Sequence, residues 1–194
     1  ISEILNLKNY DLNISFHVIK YLFNTYSKSI KVKYFLEKFH SNLQNHEQLF
    51  IYSYWYMDEA IGIAQYKKSN KKFIGISRAH GFDLYFERSK YKYLPFKKFA
   101  FENLNKVYFV SKDGMLYAKN KFNLPNLDIT NLSYLGTSNK NQIKLNLRSS
   151  KPLLIYSCSH IYPNKRIELI AASLENLKFK FSREAAISSI LLFG

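Results

Sequence analysis

Short apolar runs of strand length alternate along this chain with longer segments of helical periodicity. The apolar runs occupy residues 49–56, 72–77, 106–111 and 129–135. Helix-like segments lie between them at residues 59–68, 94–103 and 113–122. Strands that are apolar throughout are typical of parallel sheets, whose connecting helices cover both faces. The alternation therefore predicts an α/β fold with a Rossmann-like parallel sheet.

A polar segment rich in Ser and Asn, residues 136–151, interrupts this pattern. A new apolar run follows at residues 152–157, and residues 166–177 then place Ile and Leu at helical spacing. We therefore predict a domain boundary in the polar segment. The predicted parts are an incomplete first domain at 1–140, a linker at 141–151 and the start of a second domain at 152–194.

The early part of the chain is basic and amphipathic. Residues 14–39 carry apolar side chains at three- and four-residue spacings between lysines, which predicts one or two helices. Such a helix either packs on a sheet with its lysines in solvent or binds anionic lipid or a lipid-linked acceptor. The net charge of +15 also favours anionic partners, namely nucleic acid, acidic lipid or phosphorylated substrates. A codon bias toward Lys, Asn, Ile, Tyr and Phe is the alternative explanation of that charge.

Cysteine and histidine usage narrows the chemistry. The single cysteine, Cys158, excludes an internal disulfide and indicates a reducing compartment. No apolar stretch approaches the roughly 18–20 residues of a membrane span. We therefore expect a cytoplasmic location, either free or at the inner face of the membrane. The five histidines lack metal-ligand spacing, so we expect neither a metal nor another cofactor.

Charged residues and a glycine cluster directly after the second apolar run, in a predicted loop over residues 78–83. Arg78 supplies a cation, His80 exchanges protons near neutral pH and Asp83 accepts hydrogen bonds. Gly81 permits a tight turn or a close backbone approach. Parallel sheets bind ligands beyond the carboxyl ends of their strands, so this loop is a candidate substrate-binding site. A structural His–Asp contact is the alternative interpretation.

A second candidate site lies where the second predicted domain begins. Residues 159–166 connect its strand to its helix and end in Lys165 and Arg166. Backbone N–H groups at a helix start attract anions, and the two basic side chains add charge there. An ordinary exposed basic pair is the alternative. Neither candidate site has a Walker A or a dinucleotide fingerprint.

Five segments occur in a recognisable order: residues 51–56, 77–85 (SRAHGFDLY), 93–114, 133–139 and 156–174. In this order and spacing the chain resembles bacterial retaining glycosyltransferases of family 4, particularly capsule and lipopolysaccharide enzymes. The resemblance implies the GT-B architecture, in which two Rossmann-like domains face each other across a cleft. It also implies metal-independent transfer of a sugar from a nucleotide-sugar donor to a surface polysaccharide or lipid-linked glycan, with retention of configuration.

The resemblance assigns roles residue by residue. His80 matches the catalytic histidine of the acceptor-side domain, which faces the transferred sugar and the phosphates. Lys165 matches the donor-side lysine that binds the diphosphate. The arginine that usually lies five residues before that lysine is His160 here, and Arg166 is the candidate for its role.

Two family features are absent from these 194 residues: the Gly-rich first loop and a pair of Glu residues with seven residues between them. Residues 179–194 also depart from the family pattern. We therefore expect this chain alone to be inactive as a transferase. The alternatives are a basic binding module for nucleic acid or an anionic membrane, and a nonfunctional fragment of a decayed gene.

Overall fold

A computed structural model describes residues 14–41, 49–124 and 129–136 as continuous stretches. It also describes Glu3, Ile4, Leu7 and Tyr10, and pieces of the later chain at residues 153–155, 165–166, 168–169, 172–173 and 185–187. The chain forms two compact units, Ile1–Thr137 and Ser138–Gly194. The predicted linker at 141–151 lies outside the described residues.

The first unit alternates helices and strands, as the sequence predicts. Its strands are β1 (Leu49–Ser53), β2 (Phe73–Ala79), β3 (Lys106–Phe109) and β4 (Thr130–Leu132). Its helices are α1 (Phe16–Ser41), α2 (Asp58–Ser69), α3 (Gly81–Leu84), α4 (Lys97–Asn103) and α5 (Lys112–Phe122), with a 3₁₀ turn at Phe86–Arg88. The four strands form one sheet in the order β1-β2-β3-β4, and every pair is parallel. The α/β class with a parallel sheet is therefore confirmed.

The two faces of this sheet differ at β1. Along β2, buried and half-buried residues alternate strictly, and Phe73 and Ala79 lie on the buried face. Val107 and Phe109 of β3 extend that face into the core. On the opposite face, Phe50 of the edge strand is 60% exposed. The expectation that both faces are covered is therefore wrong at β1.

The predicted basic segment forms one helix, α1, which packs against α2 rather than lying alone. Val18 and Leu22 are buried on its inner side. The two helices meet at Gly62 of α2, where a Cβ would lie 2.5 Å from Val32 Cβ and 2.7 Å from the Ser29 carbonyl oxygen. Only glycine permits this close approach. In the described part of the chain, no helix has the length and apolarity needed to cross a membrane.

Several helices and strands begin or end at residues other than those predicted, because of contacts with distant parts of the chain. β2 continues through Arg78 and Ala79 because these residues pair with β3, and α3 begins at Gly81. The predicted loop at 78–83 is therefore wrong in its extent. The predicted helix at 94–103 begins only at Lys97, because Pro95 disfavours helical backbone at Leu94 and Phe96 has left-handed backbone angles (φ 59°).

The second unit contains two short strands, β5 (Leu153–Ile155) and β6 (Ala185–Ile187), which pair in parallel. The first of them confirms the predicted strand at 152–157. Residues 168–169 and 172–173 are helical, as the spacing at 166–177 predicts. The strand β6 lies in the segment that departs from the family pattern, and the sequence did not predict it.

Candidate functional site at the carboxyl edge of the sheet

His80 follows the last residue of β2, and Trp55 lies two residues beyond the end of β1. Because β1 and β2 are parallel neighbours, both residues lie at the carboxyl edge of the sheet. A hydrogen bond from Ser53 Oγ to Ser77 Oγ (2.8 Å) joins the two strand ends. The ring centroids of Trp55 and His80 are 4.3 Å apart. This edge is where ligands of open parallel sheets bind.

Aromatic side chains surround the His80 imidazole. Its ring lies 5.0 Å from that of Tyr54, and the Trp55 ring lies 4.8 Å from that of Phe82. These three aromatic residues are exposed, whereas His80 itself is buried. The buried imidazole therefore lies beneath three exposed aromatic side chains. We call these three, Tyr54, Trp55 and Phe82, the aromatic rim.

Neither ring nitrogen of His80 has a hydrogen-bond partner among the described residues. Its Nδ1 lies 3.6 Å from Asp83 Oδ2, too far for a hydrogen bond of ordinary length but within reach of an ion pair when the ring is protonated. Burial lowers the pKa of His80, the Asp83 carboxylate opposes that shift, and the Arg78 charge adds to it. The imidazole is therefore neutral at pH 7, with one nitrogen as a donor and the other as an acceptor.

Asp83 holds the two strand ends together. Its fully buried carboxylate accepts hydrogen bonds from the backbone N–H of His80 (2.6 Å) and of Tyr56 (2.8 Å). Burial raises the pKa of Asp83, while the charge of Lys97 and these two N–H groups oppose the shift. The carboxylate therefore binds backbone groups of the protein itself and holds the loop after β1 against the start of α3.

Lys97 is the buried cation of this cluster. Its ammonium donates to the Tyr56 carbonyl oxygen and lies 4.8 Å from the centroid of the Tyr56 ring. The Tyr56 hydroxyl in turn donates to the Lys97 carbonyl oxygen at 2.8 Å. Burial lowers the pKa of Lys97 to about 8, and the charge of Asp83 is the main opposing influence. A lysine buried this deeply supports the Tyr56 backbone from inside the core.

Of the other predicted members of the loop, Arg78 lies beside the aromatic rim, with its guanidinium carbon 6.0 Å from the centroid of the Tyr54 ring, whereas Gly81 lies against Arg88. Arg78 lies within β2, and its Nη2 donates to Ser133 Oγ (2.9 Å) just beyond β4. Its Nε has no partner among the described residues. Gly81 begins α3 with ordinary backbone angles, and a Cβ there would overlap the Arg88 guanidinium. Gly81 therefore makes room for a side chain rather than for a tight turn.

Lys165 and Arg166 belong to the second unit, where both are exposed. The backbone N–H of Leu169 donates to the Arg166 carbonyl oxygen (3.0 Å), which places Arg166 at the start of the helical residues. Within this unit the two cations therefore have the predicted position beside a helix start. Cys158 and His160 lie outside the described residues.

Sequence reasoning missed the aromatic rim and Lys97 as parts of this site. Tyr54 and Trp55 were included in the predicted strand at 49–56, which ends at Ser53 instead. A useful signal was their position after an apolar run, at the same sheet edge as His80. Among the described residues, no group of three or more His, Cys, Asp or Glu side chains could hold a metal ion.

Comparison with known proteins adds no assignment. No protein-family model matches the chain, and no curated protein matches it.

Proposed function

We propose that this chain is part of a retaining glycosyltransferase of the GT-B type. The enzyme would transfer a sugar from a nucleotide-sugar donor to a growing surface polysaccharide or lipid-linked glycan. In this proposal the first unit belongs to the acceptor-side domain, and the second unit begins the donor-side domain. The observation that carries the proposal is the buried imidazole of His80 at the ligand edge of a parallel sheet, whose ring nitrogens make no hydrogen bond to the described residues.

An unpaired buried imidazole is costly for the fold. Each buried polar atom without a partner costs about 1–3 kcal/mol, so two such atoms on one ring call for a partner such as a ligand or an ordered water. A ligand hydroxyl both donates and accepts, so it can pair with either nitrogen of a neutral imidazole. A sugar presents several hydroxyls beside apolar C–H faces, and those faces suit the aromatic rim. The site is therefore complementary to a saccharide.

Binding at His80 requires the aromatic rim to move. The ring nitrogens are inaccessible to solvent, whereas Trp55 and Phe82 are 42% and 48% exposed. Rotation of exposed side chains is fast and inexpensive compared with movement of the strands. In the proposed mechanism Trp55 swings aside, the sugar packs on the rim, and His80 hydrogen-bonds a hydroxyl of the transferred sugar.

Lys165 and Arg166 would serve the donor. As the glycosidic bond breaks, negative charge develops on the nucleotide diphosphate, and fixed cations stabilise it. Arg grips phosphate oxygens through two parallel hydrogen bonds, while Lys acts as a point charge. The start of a helix adds backbone N–H donors beside them.

Trp55 provides a direct test because it is the only tryptophan of the chain. We would titrate the full chain with nucleotide sugars and with glycosides of acceptor type while recording Trp55 fluorescence. A saturable change in emission that disappears in His80→Gln supports the proposal. His17→Gln is the matched control, since His17 is exposed on α1. Absence of any saturable change at millimolar saccharide, or a response unaffected by His80→Gln, would refute the proposal.

A further inference from the structure

The guanidinium of Arg78 lies beside the aromatic rim and has no role in the mechanism proposed above. Arg78 belongs to β2 and precedes His80 by two residues. Its guanidinium carbon is 6.0 Å from the centroid of the Tyr54 ring, and the same Tyr54 ring lies 5.0 Å from that of His80. The charge of Arg78 also acts on His80, whose pKa it lowers. Arg78 and His80 therefore contact the same side chain of the rim and belong to one site.

Arg78 has no counter-ion among the described residues. Its Nη2 donates to the neutral hydroxyl of Ser133 (2.9 Å), and its buried Nε donates to none of these residues. In the part of the chain that the structure describes, no carboxylate lies within ion-pair distance of the guanidinium. The Asp83 carboxylate, at the same edge of the sheet, is fully buried and accepts from two backbone N–H groups. The positive charge of this half-buried arginine is therefore not neutralised by a neighbouring side chain.

A second unpaired donor lies on the same face of the sheet as Arg78. In the parallel register Arg78 pairs with Tyr108 of β3, and Tyr108 pairs with Asn131 of β4. Successive residues of a strand point to opposite faces, so this row lies on the face opposite the buried Ala79 and Phe109. The buried Nδ2 of Asn131 has no hydrogen-bond partner among the described residues. Both unpaired atoms of the row, Arg78 Nε and Asn131 Nδ2, are N–H donors, so the group that satisfies them must be an acceptor.

The chemistry of these groups defines the ligand that they fit. Donors without acceptors call for an acceptor-rich group, and the charge of Arg78 selects a negative one. A carboxylate carries one negative charge and two coplanar oxygens, which match the planar fork of a guanidinium. A phosphate monoester carries about −1.5 to −2 at pH 7, more than one arginine neutralises. Because the adjacent rim suits the C–H faces of a saccharide, the matching ligand is a sugar that carries a carboxylate.

We infer that the saccharide bound at the aromatic rim is an acidic sugar, such as a uronic acid, and that Arg78 binds its carboxylate. A hydroxyl of the same sugar pairs with His80, and its apolar face packs on Tyr54. Arg78 is thus a specificity-determining residue, which selects an acidic sugar over a neutral one. This inference rests on the proposed saccharide site and adds the chemical class of the sugar.

A matched pair of ligands tests the inference on the full chain. Methyl glucuronide and methyl glucoside differ only at C6, where the first has a carboxylate and the second a hydroxymethyl group. Titration followed by Trp55 fluorescence gives the dissociation constant of each. At low salt we expect the glucuronide to bind about tenfold more tightly or better, because its contact with Arg78 is charge-assisted. In about 1 M NaCl this preference should shrink severalfold, since salt screens the pair.

Substitutions of Arg78 separate its charge from its shape. Arg78→Gln should bring the affinities for the two ligands within about twofold of each other, with that for the glucoside nearly unchanged. Arg78→Lys keeps the charge without the planar fork, so a preference of only about threefold should remain. The control is Lys72→Gln, which removes the same charge from an exposed residue directly before β2, about 20 Å along the strand from Arg78. It should keep the wild-type preference, and circular dichroism shows whether each variant is folded.

Three results would overturn the inference while leaving the proposed saccharide site in place. The first is equal affinity of the wild type for the glucuronide and the glucoside. The second is a preference that Arg78→Gln and Lys72→Gln reduce equally. The third is tighter binding of glucose 6-phosphate than of the glucuronide, which would assign Arg78 to a phosphate group.

The neutral glucoside distinguishes failure of this inference from failure of the proposed function. A saturable response to the glucoside without a preference for the glucuronide contradicts only the inference. No response to any saccharide contradicts the proposed function and the inference together. If Arg78→Gln does not fold, the wild-type preference, its salt dependence and Arg78→Lys decide the inference.

Discussion

Removal of the Asp83 carboxylate should strongly destabilise the fold at the carboxyl edge of the sheet. Asp83→Ala leaves two buried backbone N–H groups, those of Tyr56 and His80, without an acceptor. It also leaves the buried ammonium of Lys97 without its main opposite charge. An unsatisfied buried donor costs about 1–3 kcal/mol, and an uncompensated buried charge about 3–5 kcal/mol. Because the three groups share one cluster, these costs overlap, and we expect a total loss of about 3–5 kcal/mol.

Urea unfolding followed by Trp55 fluorescence and by circular dichroism measures this loss. Asp83→Asn keeps one acceptor oxygen but removes the charge, so its cost should be about half that of Asp83→Ala. The control is Asp113→Ala, which removes an exposed carboxylate from the first turn of α5 and should cost less than about 1 kcal/mol. If Asp83→Ala and Asp113→Ala unfold at the same urea concentration, the structural role given to Asp83 is wrong.

Three further outcomes follow from the same structure. Gly62→Ala should lower the free energy of unfolding by about 1–3 kcal/mol, because a Cβ has no room at the α1–α2 crossing. Gly136→Ala is the control, since a Cβ at Gly136 meets open space, and it should cost less than about 0.5 kcal/mol. Burial lowers the pKa of Lys97 from the ordinary 10.5 to about 8 in the folded protein. Between pH 8 and 10.5 the unfolded chain therefore binds more protons than the folded one, and the free energy of unfolding rises with pH. From pH 7.5 to 9.5 the rise should be about 2 kcal/mol in urea unfolding, and Lys97→Met should lack it. Acidification should quench Trp55 emission as His80 is protonated, with a midpoint below 6.5, and His80→Gln should abolish that transition.

The order of strands and helices could be predicted because it depends on local patterns. Apolar runs and helical spacing are visible in the sequence wherever an element faces the core. The boundaries depend on distant partners. Arg78 and Ala79 belong to β2 only because β3 offers them a hydrogen-bonding edge. Likewise, β1 ends at Ser53, and the Tyr56 N–H bonds to Asp83 instead of to a neighbouring strand.

The site was predictable to a smaller extent. His80 was identifiable from its place after an apolar run, but Trp55 looked like part of the strand before it. Lys97 follows Pro95 in a basic stretch where solvent exposure is the ordinary expectation. Its burial results from a carbonyl and carboxylates contributed by residues far away in sequence, which no local pattern reveals. The GT-B architecture and the roles of Lys165 and Arg166 stay predictions.

Histidine imidazole NMR tests the central claim most directly, namely that His80 is an unpaired, neutral ring that awaits a saccharide. The chain would be labelled with ¹⁵N at its five histidines, and the His80 signals would be assigned from the His80→Gln variant. In the free protein at pH 7 we predict a neutral imidazole for His80. Added saccharide should shift its two ring-nitrogen signals while those of His17 stay in place. A charged His80 ring at pH 7, or ring signals that do not move at saturating saccharide, would contradict the account.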